Sequence, residues 1–214
     1  MFIAVEGIEG SGKSTLLAGL NERLRSVGCE PVLTREPGGG LGSPIRSLLL
    51  ESGQNLDYRA ELFLFLADRA QHVQKVIRPA LEAGQVVLCD RFAESTIVYQ
   101  GFGRGLELDL LQNLNDFATD HLWPDLTLVL DMEAEIGLER ARRRNAKHGL
   151  SIDEGRFEAE DLAFHNRIRQ GFLRRAALYP QRFAVLDATK SPPEIAEAAW
   201  AELFRRFPKD LPCL

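Results

Sequence analysis

The stretch that decides the fold is Phe2-Ile3-Ala4-Val5-Glu6-Gly7-Ile8-Glu9-Gly10-Ser11-Gly12-Lys13-Ser14-Thr15. Four apolar residues read as a short buried strand, and helical periodicity follows from Lys13 to Val27. Between them, Gly7 to Ser14 match G-x-x-x-x-G-K-[ST] at every fixed position. Glycines let a backbone fold around phosphate oxygens with its N–H groups turned inward. Lys13 is then placed to reach the β- and γ-phosphates of a nucleoside triphosphate, and the Ser14 hydroxyl to hold Mg2+. The positive end of the following helix adds to the attraction. The bland alternative is a glycine-rich turn that binds nothing. The strand before the motif and the helix after it supply the context that phosphate binding requires.

Outside the motif, composition sets bounds. A chain of 214 residues can bury one large α/β core. Its 45% hydrophobic and 27% charged residues are ordinary for a globular protein. A net charge of −5 speaks against general binding to nucleic acid or an anionic membrane. Cys29, Cys89 and Cys213 are odd in number, scattered and without a C-x-x-C pair, which favours a reducing compartment over a zinc site or a disulfide framework. The first apolar run stops at Glu6, which does not suit a signal peptide. The longest, Leu62 to Ala67, is far too short to span a bilayer. The expected location is the cytoplasm.

Five β-rich runs alternate with helical stretches: Phe2–Val5, Pro31–Thr34, Val86–Cys89, Leu126–Leu130 and Ala184–Leu186. Runs apolar on both faces and separated by helices predict a parallel sheet covered on each side. Helical periodicity covers Lys13–Val27, Ser43–Glu51, Tyr58–Glu82, Leu106–Thr119, Glu133–Arg144, Arg156–Leu178 and Pro193–Phe207. Glycines and prolines, among them Gly53 and Gly101–Gly105, mark the joints. The expectation is a single P-loop domain over 1–214: an α/β P-loop NTPase fold, a doubly wound five-stranded parallel sheet with helices on both faces and an arginine-rich lid at about 140–158.

In such folds ligands lie beyond the carboxyl ends of the strands. There the sequence has Arg35-Glu36-Pro37-Gly38-Gly39, Asp90-Arg91-Phe92, Asp131 and Asp187. Asp131 and Asp187, taken singly, read equally well as helix caps. Arg35 and Arg91, on neighbouring strand ends, suit a second phosphate held bidentately. No D-x-x-G switch follows an early strand and no N-K-x-D guanine reader is present. The run Glu139-Arg140-Ala141-Arg142-Arg143-Arg144 is either a solvated helix face or, beside a phosphate loop, a lid that closes over a triphosphate.

Four motifs in matching order carry a resemblance. They are Glu6–Thr15, Thr34-Arg35-Glu36-Pro37-Gly38-Gly39, Leu64-Phe65-Leu66-Ala67-Asp68-Arg69-Ala70-Gln71-His72 and Asp90-Arg91-Phe92-Ala93-Glu94-Ser95-Thr96-Ile97-Val98-Tyr99-Gln100-Gly101. Together they resemble the thymidylate kinase family over nearly the whole chain. The lid is similar to the bacterial type, with Gly10 where other members carry a loop arginine. The resemblance implies transfer of the γ-phosphoryl of ATP to dTMP, giving dTDP and ADP on the way to dTTP, with Mg2+ as the cofactor and a homodimer as the assembly. It implies ATP contacts from Gly7, Ile8, Glu9, Gly10, Ser11, Gly12, Lys13, Ser14 and Thr15. Phe65 would stack on thymine and Arg69 bond its exocyclic oxygen, one helical turn apart. The alternative for Phe65 is core packing, since Leu62–Leu66 is apolar all round its helix.

By the same resemblance Glu9 lies near the sugar 3′-hydroxyl, Arg35 and Arg91 hold the acceptor phosphate, and Ser95 and Thr96 line the base pocket. Tyr99 crowds the 2′ position, although by itself it also reads as a half-buried helical tyrosine. Arg140, Arg142 and Arg144 are lid candidates, of which only one or two can share a face toward phosphate. Glu158, in Arg156-Phe157-Glu158, would lie near the acceptor. Asp90 either positions Mg2+ with Ser14 or anchors Arg91. The four histidines show no ligand or triad spacing. The chain departs from the family at Gly40, where threonine is usual and glycine predicts a looser loop, and in a longer stretch over Asn145–Gly155. A different nucleoside monophosphate kinase, or a nucleotide-binding regulator without transfer, is the competing reading.

Overall fold

The computed structural model describes residues 1–51, 56–148 and 155–208, so Gly53, Cys213 and the middle of the expected lid lie outside the described residues. Five strands form one parallel sheet: β1 (Phe2–Gly7), β2 (Val32–Arg35), β3 (Val87–Asp90), β4 (Leu126–Asp131) and β5 (Phe183–Asp187), in the order β2-β3-β1-β4-β5. The central strand is buried at every residue. Alternate side chains of β1 enter different layers, as the two-residue pleat dictates. Ile3 and Val5 pack with Leu20, Leu24, Phe172 and Trp200, while Phe2 and Ala4 pack with Val73, Ile77 and Phe92. The edge strands depart from the expectation of cover on both faces, since Leu33 and Val185 are exposed. They lie where the helical layers end.

Around the sheet run α1 (Lys13–Ser26), α2 (Ser43–Leu50), α3 (Tyr58–His72), α4 (Arg78–Glu82), α5 (Ala93–Thr96), α6 (Leu108–Thr119), α7 (Ala134–His148), α8 (Leu162–Leu178) and α9 (Pro192–Arg206). The predicted helix over 58–82 is one rod with a π-helical step, π1, at Val73–Ile77. Pro79 accounts for the step: it lacks an N–H and its ring crowds the preceding turn, which a widened turn relieves. A second π-helical segment, π2 (Ile97–Gly103), follows α5 where the glycines predict a joint. Close packing overrides propensity there, because a Cβ on Gly103 would meet Phe164 at 2.6 Å and one on Gly171 would meet Phe102 at 3.0 Å. The predicted start of the penultimate helix at Arg156 is corrected to Leu162, where the Asp161 carboxylate accepts the Phe164 N–H at 2.6 Å. Among the described residues no helix is long and apolar enough to cross a membrane.

The register brings the chemistry together. Val5 pairs with Asp90 on one side and Leu128 on the other, and Arg35 pairs with Asp90. The carboxyl ends of β1, β2 and β3 are therefore level, and the loops that leave them border one crevice.

Candidate active site

The phosphate loop connects β1 to α1. Lys13 Nζ donates to the carbonyls of Gly7 (3.1 Å) and Ile8 (2.9 Å), which holds the ammonium inside the loop. Burial, and after it the Arg91 charge, pulls the Lys13 pKa down to about 8. Gly10 has φ of 72°, and a Cβ there would lie 1.9 Å from the Gly137 carbonyl of α7. Gly137 is reciprocally closed, since its own Cβ would meet the Glu9 carbonyl at 2.6 Å. The loop backbone thus lies directly on the first turn of α7, and no arginine fits at Gly10. Ser14 Oγ donates to Asp90 Oδ2 at 3.2 Å, which brings two hard oxygen donors to one point. Ser14 and Thr15 are exposed at the mouth, and Ser11 is buried.

The end of β3 reaches across to this loop. Arg91 adopts the left-handed conformation, φ 66°, which a residue with a side chain adopts only where its surroundings impose it. Its guanidinium donates to Glu9 Oε1 (2.9 Å) and Ser95 Oγ (3.3 Å) and lies over the Tyr99 ring. The Tyr99 hydroxyl donates to the same Glu9 oxygen at 2.6 Å. Burial opposes the charge on Glu9, but His165, Arg91, Lys13 and Tyr99 outweigh it and hold the carboxyl below the usual range. Burial works against the charge on Arg91 too, and the surrounding anions raise its pKa regardless. Arg35 is exposed and has no ion pair among the described residues, so it is available to an anion.

Behind these groups lies a buried polar chain. Glu6 accepts the Phe92 and Ser95 N–H groups (2.8 and 3.1 Å) and the Ser95 hydroxyl (2.6 Å). Burial raises its pKa to about 7, against the pull of Arg91 and Ser95. Arg69, 1% exposed, donates to Glu36 Oε2 through Nε (2.8 Å), with NH2 ion-paired to the same oxygen at 2.8 Å, to Thr96 Oγ1 (2.8 Å) and Asn115 Oδ1 (2.6 Å) through NH1, and to the Phe92 carbonyl through NH2 (3.3 Å). The other Glu36 oxygen meets His72 Nδ1 at 2.9 Å, and His72 Nε2 meets Thr34 Oγ1 at 2.7 Å. Asp68 accepts N–H bonds from Gly38, Gly40 and Leu41 at 2.6–3.1 Å. Phe65 is half-buried, with its ring 6.4 Å from that of Phe157.

On α7, Arg140, Arg142 and Arg144 are all exposed. They do not converge: Arg140 NH1 donates to the Ala188 carbonyl (3.0 Å) beyond β5, while Arg144 NH2 donates to Glu158 Oε1 (3.0 Å). The end of the expected lid is tied down by Arg156, which binds Glu61 and the Leu49 carbonyl and gives its own N–H to Leu50.

A family model described as thymidylate kinase matches residues 5–199. The chain belongs to the thymidylate kinase family. It is 58% identical over 199 residues to a thymidylate kinase of Nitratidesulfovibrio vulgaris, covering 92% of this chain and 93% of the relative. It is 56% identical over 209 residues to that of Oleidesulfovibrio alaskensis, covering 95% and 99%. The crystal structure of thymidylate kinase from Ehrlichia chaffeensis superposes with a TM-score of 0.78 at 35% identity, over 95% of this chain and 98% of that one. The doubly wound parallel sheet and the identification as an ATP-dependent nucleoside monophosphate kinase are borne out.

Within this chain several residues stand differently from expectation. Arg69 has four of its five N–H groups hydrogen-bonded to protein acceptors, with NH2 also ion-paired to Glu36, so the guanidinium is largely committed to the protein, and Thr96 is buried as one of those acceptors. Tyr99 is fully buried in an aromatic cluster with Phe157, Phe164 and Phe172. Gly40 does not loosen its loop: its N–H is bound by Asp68, and a Cβ would lie 2.2 Å from the Asp68 carbonyl. Neither Asp131 nor Asp187 caps a helix: Asp131 is a bidentate partner of Arg169 on α8, and Asp187 accepts the N–H and hydroxyl of Thr189. Sequence reasoning missed Glu6, Glu36, Asp68, His72 and His165. A charge closing an apolar strand was a signal for Glu6; for His165 no sequence signal existed.

Proposed function

We propose that the site transfers the γ-phosphoryl of ATP to dTMP by holding two anions face to face, within a single domain whose lid is formed by α7 and the segment after it. Lys13 and the loop N–H groups of Gly7 to Thr15 take the donor phosphates. Arg91 and Arg35 take the acceptor phosphate. The observation that carries this reading is the Arg91–Glu9 bond, which places an acceptor-side guanidinium against the donor loop. The nucleophile is already a phosphate oxygen, so no general base is needed and catalysis rests on alignment and charge neutralisation. Two loop carbonyls satisfy the Lys13 ammonium, and phosphate oxygens replace them when ATP arrives.

Ser14 and Asp90 fit a magnesium ion, which when bound neutralises charge on the β- and γ-phosphates. Ser14 and Asp90 are the side chains that would hold it; among the described residues no group of three His, Cys, Asp or Glu side chains converges. Glu9 receives the acceptor's sugar 3′-hydroxyl, and Tyr99 beside it fills the 2′ position. Phe65 stacks on the base, with Ser95, Thr96 and Arg69 forming the wall behind it. Arg69 stands in that wall with four of its N–H groups already given to protein. Arg140 steadies the donor side, Arg142 is free to turn toward phosphate, and Arg144 with Glu158 closes the acceptor side. The protein works in the cytoplasm as a homodimer, for which the exposed Phe63 of α3 and Phe117 of the adjoining α6 supply apolar surface. An ADP-release assay with dTMP, dUMP, CMP and UMP tests the acceptor pocket. Comparable kcat/KM for dTMP, CMP and UMP would overturn it.

A further inference from the structure

His165 lies on α8, fully buried, and is not among the groups that the transfer reaction uses. Its neighbour Phe164 and Phe172, two turns on, both meet the Tyr99 ring edge-on, at 6.2 and 6.3 Å, which sets the register of α8 against π2. That register delivers the His165 ring to Glu9, with Nδ1 3.3 Å from Oε2. The approach is within ion-pair reach but not aligned as a hydrogen bond. Among the described residues Glu9 Oε2 and both His165 nitrogens have no hydrogen-bond partner. Buried polar groups are nearly always paired, and three orphans at one point require an explanation. Glu9 Oε1 is already committed to Arg91 and Tyr99. Oε2 is enclosed beside the imidazole, which limits how the carboxylate turns.

We propose that His165 is a positioning residue: through Oε2 it fixes the Glu9 carboxylate in the orientation that receives the 3′-hydroxyl of the acceptor nucleotide. The inference rests on the assignment of Glu9 to that hydroxyl. His165 never touches the nucleotide and has no part in the transfer itself. Its effect falls on recognition of a sugar that carries the hydroxyl, and not on one that lacks it. It also explains why a polar ring occupies a place among Phe164, Phe172 and Tyr99 that an apolar residue would fill more cheaply.

The test compares dTMP with 3′-deoxythymidine 5′-monophosphate in steady-state kinetics for the parent, His165→Phe, His165→Asn and Glu9→Gln, with thermal midpoints measured in parallel. His165→Phe is expected to lower kcat/KM for dTMP about tenfold, mostly through KM, and to change that for the deoxy analogue by less than about twofold. His165→Asn keeps a nitrogen near the Nδ1 position and restores most of the preference. Equal losses on both substrates would reduce His165 to packing and overturn the proposal, even if Glu9→Gln alone abolishes the preference. If Glu9→Gln leaves the preference intact, the assignment of Glu9 fails and the proposal falls with it. Should His165→Phe not fold, His165→Gln, whose nitrogen is displaced from Nδ1, gives the same comparison.

Discussion

Arg69→Met isolates the largest difference between the expected and observed roles of one residue. The guanidinium is 1% exposed and its partner Glu36 is 4% exposed. Removing it strands the Glu36 carboxylate, one bond to Asn115, one to Thr96 and the Phe92 carbonyl, while methionine fills part of the volume. Breaking a buried ion pair on one side costs about 3–5 kcal/mol, which for a chain of this size lowers the thermal midpoint by about 10 °C. Methionine conserves the apolar stem, so most of the loss is electrostatic. Adding Glu36→Gln removes the stranded charge and should recover about 2 kcal/mol or more of it, as a double-mutant cycle in urea would register. The assay is unfolding of the nucleotide-free protein, with KM for dTMP measured alongside. A midpoint within about 2 °C of the parent, with only KM raised, would refute the scaffold role and return Arg69 to a purely substrate-facing one.

Other outcomes rest on the same geometry. Lys13→Ala should lower kcat by about two to three orders of magnitude while circular dichroism stays unchanged; near-normal kcat would remove Lys13 from the transfer step. Gly10→Ala should cost about 1 kcal/mol or more from the positive φ alone, and further through overlap with Gly137, raising KM for ATP; an unchanged midpoint and KM would show that the loop does not rest on α7. Glu6 is expected to destabilise the fold as pH rises. Its pKa goes from the ordinary 4.5 up to about 7, so its contribution is complete below about 4.5 and is lost as pH passes through about 7. The span amounts to about 3 kcal/mol, and Glu6→Gln should flatten the fall in urea midpoint between pH 5 and 8. A parallel pH profile for parent and variant would contradict that.

How much was legible beforehand depends on the range of the interactions. The phosphate loop is written in consecutive residues: glycines, Lys13 and Ser14 act through backbone geometry that a short segment determines for itself. Alternating apolar runs likewise specify a covered parallel sheet, because burial of both strand faces leaves a compositional mark. Edges, π-helical steps and the true start of α8 left weaker marks, since neighbours in space decide them. Arg69 shows the limit most plainly. Its spacing from Phe65 predicts a shared face, yet its partners come from the loop after β2, α5, α6 and the turn after β3, and no local pattern names them. Glu9 and His165 are separated by most of the chain and meet only because three aromatic rings set the register of α8. The sequence alone determined which chemistry the loop can perform. The tertiary structure decided which charges are spent on holding the site and which are left for its substrates, because that division depends on burial and on partners distant along the chain.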